Sequence, residues 1–162
     1  DSRVEQNTFA YNAALSACEN GEQWIRALQF FREMADRRVE RDTITYNVLL
    51  QSIYQIDTGK SIFQDALFSH AFDECIVIED RLLDLHGCSL GAAILALRWW
   101  WTEIVPVLQE SSESSSFYVV AGWGKHRAAR RQSGILEMMC HDLDRMHVPW
   151  TKQNAGRLEL TA

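Results

Sequence analysis

No apolar run in this 162-residue sequence reaches the ~18 residues that a membrane-spanning helix requires. The nearest stretch, 90–108, is interrupted by Arg98 and Glu103. Paired metal-ligand spacing is missing too. Cys18, Cys75, Cys88 and Cys140 stand far apart, whereas a zinc framework uses short C-x-x-C or H-x-x-x-H steps. Free, mostly buried thiols in a reducing compartment are therefore expected. His141 and His147, six apart on a predicted helix, do not share a face and read as surface residues rather than ligands. The sequence has neither an initiator methionine nor a leader pattern, and Asp1 falls partway through a repeat. The chain thus reads as a fragment whose targeting segment would lie upstream.

What is present is enough for a core: 47% of residues are apolar, which excludes a disordered tail. The length suits one ordinary domain plus a smaller unit. The net charge of −6 argues against nucleic acid until its distribution is examined. Residues 1–80 carry 7 basic and 14 acidic side chains, whereas residues 81–162 carry 9 and 8. From Ser114 to Gly134 no acidic residue occurs, and Lys125-His126-Arg127-Ala128-Ala129-Arg130-Arg131 sits in that window. A local basic patch on an acidic chain is a focused site suited to phosphate. The bland alternative is a solvated helix start.

The first half repeats. Arg3-Val4-Glu5 recurs as Arg38-Val39-Glu40, Thr8 as Thr43, Tyr11-Asn12 as Tyr46-Asn47 and Leu15 as Leu50, always 35 residues on. The unit predicts two helices. The first covers about Thr8–Glu19, with Tyr11, Ala14, Leu15 and Cys18 on one stripe, and Asn20-Gly21 ends it. The second covers about Glu22–Arg37, with Trp24, Ala27, Leu28, Phe31 and Met34 inward. A hairpin of this size cannot bury its stripe alone and must stack on neighbours. The next unit starts at Thr43 and is regular through Tyr54. Its second helix, about Ser61–Phe72, fits best with roughly four extra residues near Gln55–Lys60. It reads as a degenerate, capping repeat.

The pattern changes after Glu79. Leu82–His86 predicts a short strand ended by Gly87. A helix follows, N-capped by Ser89, with Leu90, Ala93, Ile94, Leu97, Trp101, Ile104 and Leu108 as its stripe. Residues 117–121 predict a strand running into Gly122-Trp123-Gly124. A helix over about Gly134–Met146 puts Leu136, Met139, Cys140, Leu143 and Met146 inward. Strands near Val148–Lys152 and Arg157–Leu160 flank the turn Asn154-Ala155-Gly156. The predicted order is βαβαββ, a compact α/β two-layer domain. The expected fold is therefore α-helical hairpin repeats (an α-solenoid fragment) over residues 1–79, followed by that domain over 80–162.

Two resemblances attach to these residues. The 35-residue period, the Thr-x-x-Tyr-Asn entry and the Ala27-Leu28-x-x-Phe31-x-x-Met34 run resemble pentatricopeptide repeats, well over 1–54 and poorly over 55–79. Residues 82–162 resemble a Small MutS-Related (SMR) domain through Leu83-Asp84-Leu85-His86-Gly87, Ala121-Gly122-Trp123-Gly124-Lys125-His126 and Asn154-x-Gly156-Arg157-Leu158. Ala121 stands where that family usually has threonine, which removes one hydroxyl from a phosphate contact. The first resemblance implies sequence-guided binding of single-stranded RNA. The second implies nucleic-acid binding and, in some members, endonuclease cleavage. Together they imply an RNA-processing protein of plastid or mitochondrion. DNA is the less expected substrate, and a protein-binding α-solenoid adapter is the rival from another class.

The implied readers of the first complete repeat are Asn12 and Asp42, a pair that in the family's code favours uracil. Phe9 and Ile44 hold the positions that flank the base. Asn47 would read in the second repeat, its partner lost in the degenerate end. An amide and a carboxylate can satisfy one base's Watson–Crick edge. Alternatively, Asn12 and Asn47 are helix-end polar residues making local backbone bonds.

In the second half, alternation puts Asp84 and His86 on one face of a strand. Gly122 and Gly124 let backbone N–H groups approach a phosphate, with Lys125 and Arg127 adding charge and Trp123 able to stack on a base. Cleavage of RNA needs a base, an acid and charge stabilisation. His86, oriented by Asp84, supplies one, with His126 its partner and Lys125 the stabiliser. Alternatively Asp84 holds Mg²⁺ and a metal-bound water attacks. The plainest reading is that Asp84 and His86 tie the strand to its loop. No cofactor is otherwise implied.

Overall fold

The computed structural model describes residues 2–110, 115–121 and 133–162. The chain divides into two compact units, Asp1–Asp73 and Glu74–Ala162.

The first unit is four helices: α1 (Ser2–Asn20), α2 (Trp24–Asp36), α3 (Thr43–Ile53) and α4 (Asp57–Phe68). Ala27, Leu28, Phe31 and Met34 are buried on α2, and Leu15 and Cys18 on α1, so the predicted stripes form the core. Trp24 is the exception. It lies in the first turn of α2, one turn ahead of Ala27, and stays 42% exposed beside Glu19 and Tyr54.

The second repeat is shorter than the first, not longer as the sequence suggested. Arg38 and His70 adopt left-handed φ of 57° and 60° after α2 and α4. Each is followed by the same bond, Val39 N to Met34 O at 2.8 Å and Ala71 N to Ala66 O at 3.0 Å. Ala27, Phe31 and Met34 then correspond to Gly59, Phe63 and Ala66, all buried, at a spacing of 32 residues. Gly59 makes the shortening feasible: a Cβ there would stand 2.5 Å from the Ile53 carbonyl oxygen. Helix α4 therefore starts at Asp57 with no inserted residues. Phe72 lies beyond it as a plug, 6.2 Å from Tyr46 and 6.1 Å from Phe63 between ring centres.

The second unit is a five-stranded sheet with helices packed on one face. Its elements are β1 (Val77–Glu79), β2 (Leu82–Asp84), α5 (Leu90–Trp99), a π turn (Trp100–Ile104), α6 (Val105–Glu110), β3 (Ser116–Val120), α7 (Ser133–Arg145), β4 (Trp150–Asn154) and β5 (Arg157–Thr161). The strand order is β1-β2-β3-β5-β4. Only β2 and β3 run parallel; the other pairs are antiparallel. Leu83, Phe117, Val119, Leu158 and Leu160 alternate inward and are fully buried. Strand β1 adds a leading strand to the expected βαβαββ order, and the unit boundary falls before it rather than at 79/80. Three exposed residues carry no alternation signal; their pairing with β2 creates the strand.

The long helix predicted after Ser89 is interrupted. The π turn inserts one extra residue per turn and shifts the apolar stripe. Trp100, three residues after Leu97 and at the first position of that turn, is the fully buried member of the Trp99-Trp100-Trp101 run rather than Trp101, edge-on to Phe117 at 5.8 Å, and past the turn Val105 rather than Ile104 is buried. Trp101 stays half-buried at 6.1 Å from the same ring, and Trp99 is half-buried as well. Helices α5 and α7 are joined by a bidentate ion pair, Arg98 Nε and Nη2 donating to Asp142 at 2.6 and 2.5 Å. Of the four thiols only Cys18 is buried; Cys75, Cys88 and Cys140 are half-buried, fewer inside than composition suggested. His141 and His147 are exposed.

Candidate nucleic-acid interface

Asp42 is the N-cap of α3. Its carboxylate accepts from Thr45 N at 2.8 Å, while Thr45 Oγ1 accepts from Asp42 N at 3.2 Å, a reciprocal capping box. Asn12 reaches this cap from α1. Its amide Nδ2 donates to both Asp42 oxygens, at 3.0 and 3.3 Å. The Thr45 hydroxyl proton has two acceptors within reach, Asn12 Oδ1 at 2.7 Å and Asp42 Oδ1 at 2.8 Å. Asn12 is only 8% exposed and lies inside α1, so it is not a helix-end residue bonding its own backbone. Sequence reasoning paired Asn12 with Asp42 and missed Thr45. The signal was there: Asp followed three residues later by a hydroxyl side chain, just before an apolar run.

This arrangement leaves donors and acceptors for a ligand. Asn12 Nδ2 carries a second hydrogen, and a carboxylate has about four acceptor sites. One donor beside one acceptor matches a carbonyl next to an imino N–H, the edge that uracil presents. Phe9 is 77% and Ile44 58% exposed, large apolar side chains left uncovered at the flanking positions. Asn47 is half-buried on α3.

In the second unit Asp84 ends β2, and the chain turns through Leu85-His86-Gly87. Asp84 Oδ1 accepts from His86 N at 2.9 Å and contacts His86 Nδ1 closely. The predicted pair is thus together, with His86 exposed and Asp84 half-buried. Gly87 has φ of +86°, and a Cβ there would stand 3.2 Å from Cys75 Sγ, so the turn needs glycine. The carboxyl end of β3 comes alongside: Leu85 N donates to Val120 O at 2.9 Å, and Ala121 N to Gly156 O at 3.0 Å. In α/β sheets ligands collect at such ends. Gly122, Trp123, Gly124, Lys125, His126 and Arg127 lie outside the described residues.

Mg²⁺ is usually held by one or two carboxylates, with waters and substrate phosphates completing its octahedron. Asp84 Oδ1 is already engaged by His86. Among the described residues no group of three or more His, Cys, Asp or Glu side chains converges as a metal site. What the pair can do is hold the imidazole in one orientation, with Nδ1 toward the carboxylate and Nε2 free for proton transfer.

Four helices of this kind, stacked as two hairpins at a repeating interval, define a helical-repeat unit. Over residues 6–54 the chain is similar to the PPR repeat family, whose model spans α1 to the end of α3. That match includes Asn12, Asp42, Asn47 and the flanking Phe9 and Ile44. No curated protein and no solved structure matches the chain. No described helix is long and apolar enough to cross a membrane.

Proposed function

We propose that this chain is an RNA-binding protein of organellar RNA processing. Its repeats read single-stranded RNA and its second unit, of SMR type, binds and cuts it. The observation that carries the reading is the meeting of Asn12 and Asp42, with two exposed apolar side chains, Phe9 on α1 and Ile44 on α3, close to them in the chain. One amide hydrogen and one carboxylate, with these apolar neighbours, form a seat for a single base. Support for the second half comes from the Leu83–Gly87 motif, with the Asp84–His86 contact at the carboxyl end of a parallel strand pair.

In the cleavage step, His86 takes the proton from a ribose 2′-hydroxyl. The resulting alkoxide attacks the adjacent phosphorus, and the P–O5′ bond breaks. A protonated group, His126 in this reading, returns a proton to the leaving 5′-oxygen. Asp84 acts by orienting the imidazole.

The test is incubation of the chain with uridine-containing single-stranded RNA, with and without EDTA, and analysis of product ends. EDTA-resistant cutting with 2′,3′-cyclic phosphate ends, lost in Asp84→Ala and His86→Ala while binding persists, is expected. A 5′-phosphate with EDTA sensitivity would mean a metal-bound water attacks and would overturn the proton-transfer route. Binding without cutting would leave the second unit a grip. Absence of RNA binding, with capture of a protein partner, would favour the adapter reading.

A further inference from the structure

Asp84 pairs with Val120 across β2 and β3, and Val120 pairs with Arg157 across β3 and β5. Residues in register share a face, so Asp84, Val120 and Arg157 stand on the face opposite the buried Leu83, Val119 and Leu158. Two strand steps separate Asp84 from Arg157, about 9–10 Å. On this face the Arg157 guanidinium lies 4.2 Å over the ring of Tyr118. The carboxylate nearest along its own strand, Glu159, is engaged elsewhere. Gln153 Nε2 donates to it, and the Tyr118 hydroxyl reaches it at 3.5 Å. Among the described residues Arg157 enters no ion pair, and its buried Nε has no hydrogen-bond partner.

A guanidinium fixed over a ring, and not neutralised, has little conformational freedom left to lose when an anion arrives. Its planar fork matches two oxygens of a phosphate. The carboxylates nearest it on this face, Asp84 and Glu159, are already bonded by His86 and by Gln153 and Tyr118. On this face Arg157 is therefore a cation without an anion among the described residues.

We infer that Arg157, braced on Tyr118, grips a backbone phosphate of a single-stranded RNA that crosses this sheet face toward Asp84 and His86. This rests on the second unit's being a nucleic-acid-binding domain, and it extends that site two strands beyond the loop motifs. Tyr118 is the positioning residue and Arg157 the contact.

The experiment titrates the full chain with a fluorescent uridine-containing RNA over a series of salt concentrations. It is repeated for Arg157→Gln, Arg157→Lys, Tyr118→Leu and a control, Lys152→Gln, which removes a charge from the neighbouring strand at the register of Leu158. Arg157→Gln should weaken binding several-fold and lower the log–log salt slope by roughly one unit or less. Arg157→Lys should keep the slope and lose part of the affinity, Tyr118→Leu should lose affinity with the slope little changed, and Lys152→Gln should do neither. An unchanged slope in Arg157→Gln overturns the inference, as does a matching loss of thermal stability in Arg157→Gln and Tyr118→Leu that accounts for the weaker binding. Arg157→Gln behaving as wild type while Asp84→Ala and His86→Ala stop cleavage would remove this inference and leave the proposed function standing. A wild-type chain without RNA affinity would remove both.

Discussion

Asn12 donates its side-chain amide to Asp42, thirty residues on, at 3.0 Å, and Thr45 ties both into one cap. One contact therefore fastens α1 to the start of α3 and holds together the two side chains proposed to read a base. In that reading stability and recognition draw on the same atoms, so substitutions here separate the roles only if both are measured.

Asp42→Ala should lower the stability of the chain by about 2–3 kcal/mol. Loss of the N-cap contributes about 1 kcal/mol. The Asn12 amide, 8% exposed, is then left without its acceptor, which costs about 1–2 kcal/mol more. Chemical unfolding followed by circular dichroism measures this. A midpoint within error of wild type would show that the cap is dispensable.

Asn12→Thr should shift base preference away from uracil. It removes the donating amide while Asp42 and Thr45 keep the cap. The helical signal should persist, with stability reduced by about 1 kcal/mol. Binding compared across RNAs that differ at one base gives the readout, and an unaltered profile would reduce Asn12 to a helix-joining residue.

Arg98→Met leaves Asp142, whose side chain is 6% exposed, as a buried charge with its principal partner gone. About 3 kcal/mol of destabilisation is expected. Asp142→Leu should cost less, because the Arg98 side chain is 32% exposed and can rehydrate. The double substitution should fall between wild type and Arg98→Met. Additive losses in the double-mutant cycle would contradict this.

Burial pushes the Cys88 thiol up to about 12, with smaller contributions from Cys75 and Asp84. Folding thus favours the neutral thiol. That contribution is complete below pH 9, the ordinary value for the group, and is lost as pH rises toward 12. Unfolding midpoints should fall over this window, and Cys88→Ala should flatten the fall. Alkylation near pH 8 should modify Cys88 after Cys75 and Cys140. Rapid modification of Cys88 in the folded chain would disprove its protection.

The repeat was legible because a period of 35 brought the same residue types back in the same order, and a local hairpin reads locally. Its second copy was misjudged because its length depends on how closely two backbones approach. Gly59 against the Ile53 carbonyl is a contact, and no composition rule encodes it. The tryptophan run was misassigned for a related reason. Trp100 and Trp101 both follow Leu97 on one helical stripe, three and four residues on, and the burial of Trp100 against Phe117 decides between them.

By itself the sequence determined the helical hairpins, the strands with inward alternation, the Asn154–Gly156 turn and the pairing of Asp84 with His86. Each of these is decided by residues a few positions apart, or by an exact repeat. The tertiary structure alone decided what depends on distant neighbours. It added β1 to the sheet, closed the Thr45 hydroxyl into the Asn12–Asp42 cap, matched Arg98 to Asp142 and left Arg157 on Tyr118 without a carboxylate. These arise from strand register and helix packing. Both are set by the burial of the whole apolar face at once, and so they are invisible to any window of sequence.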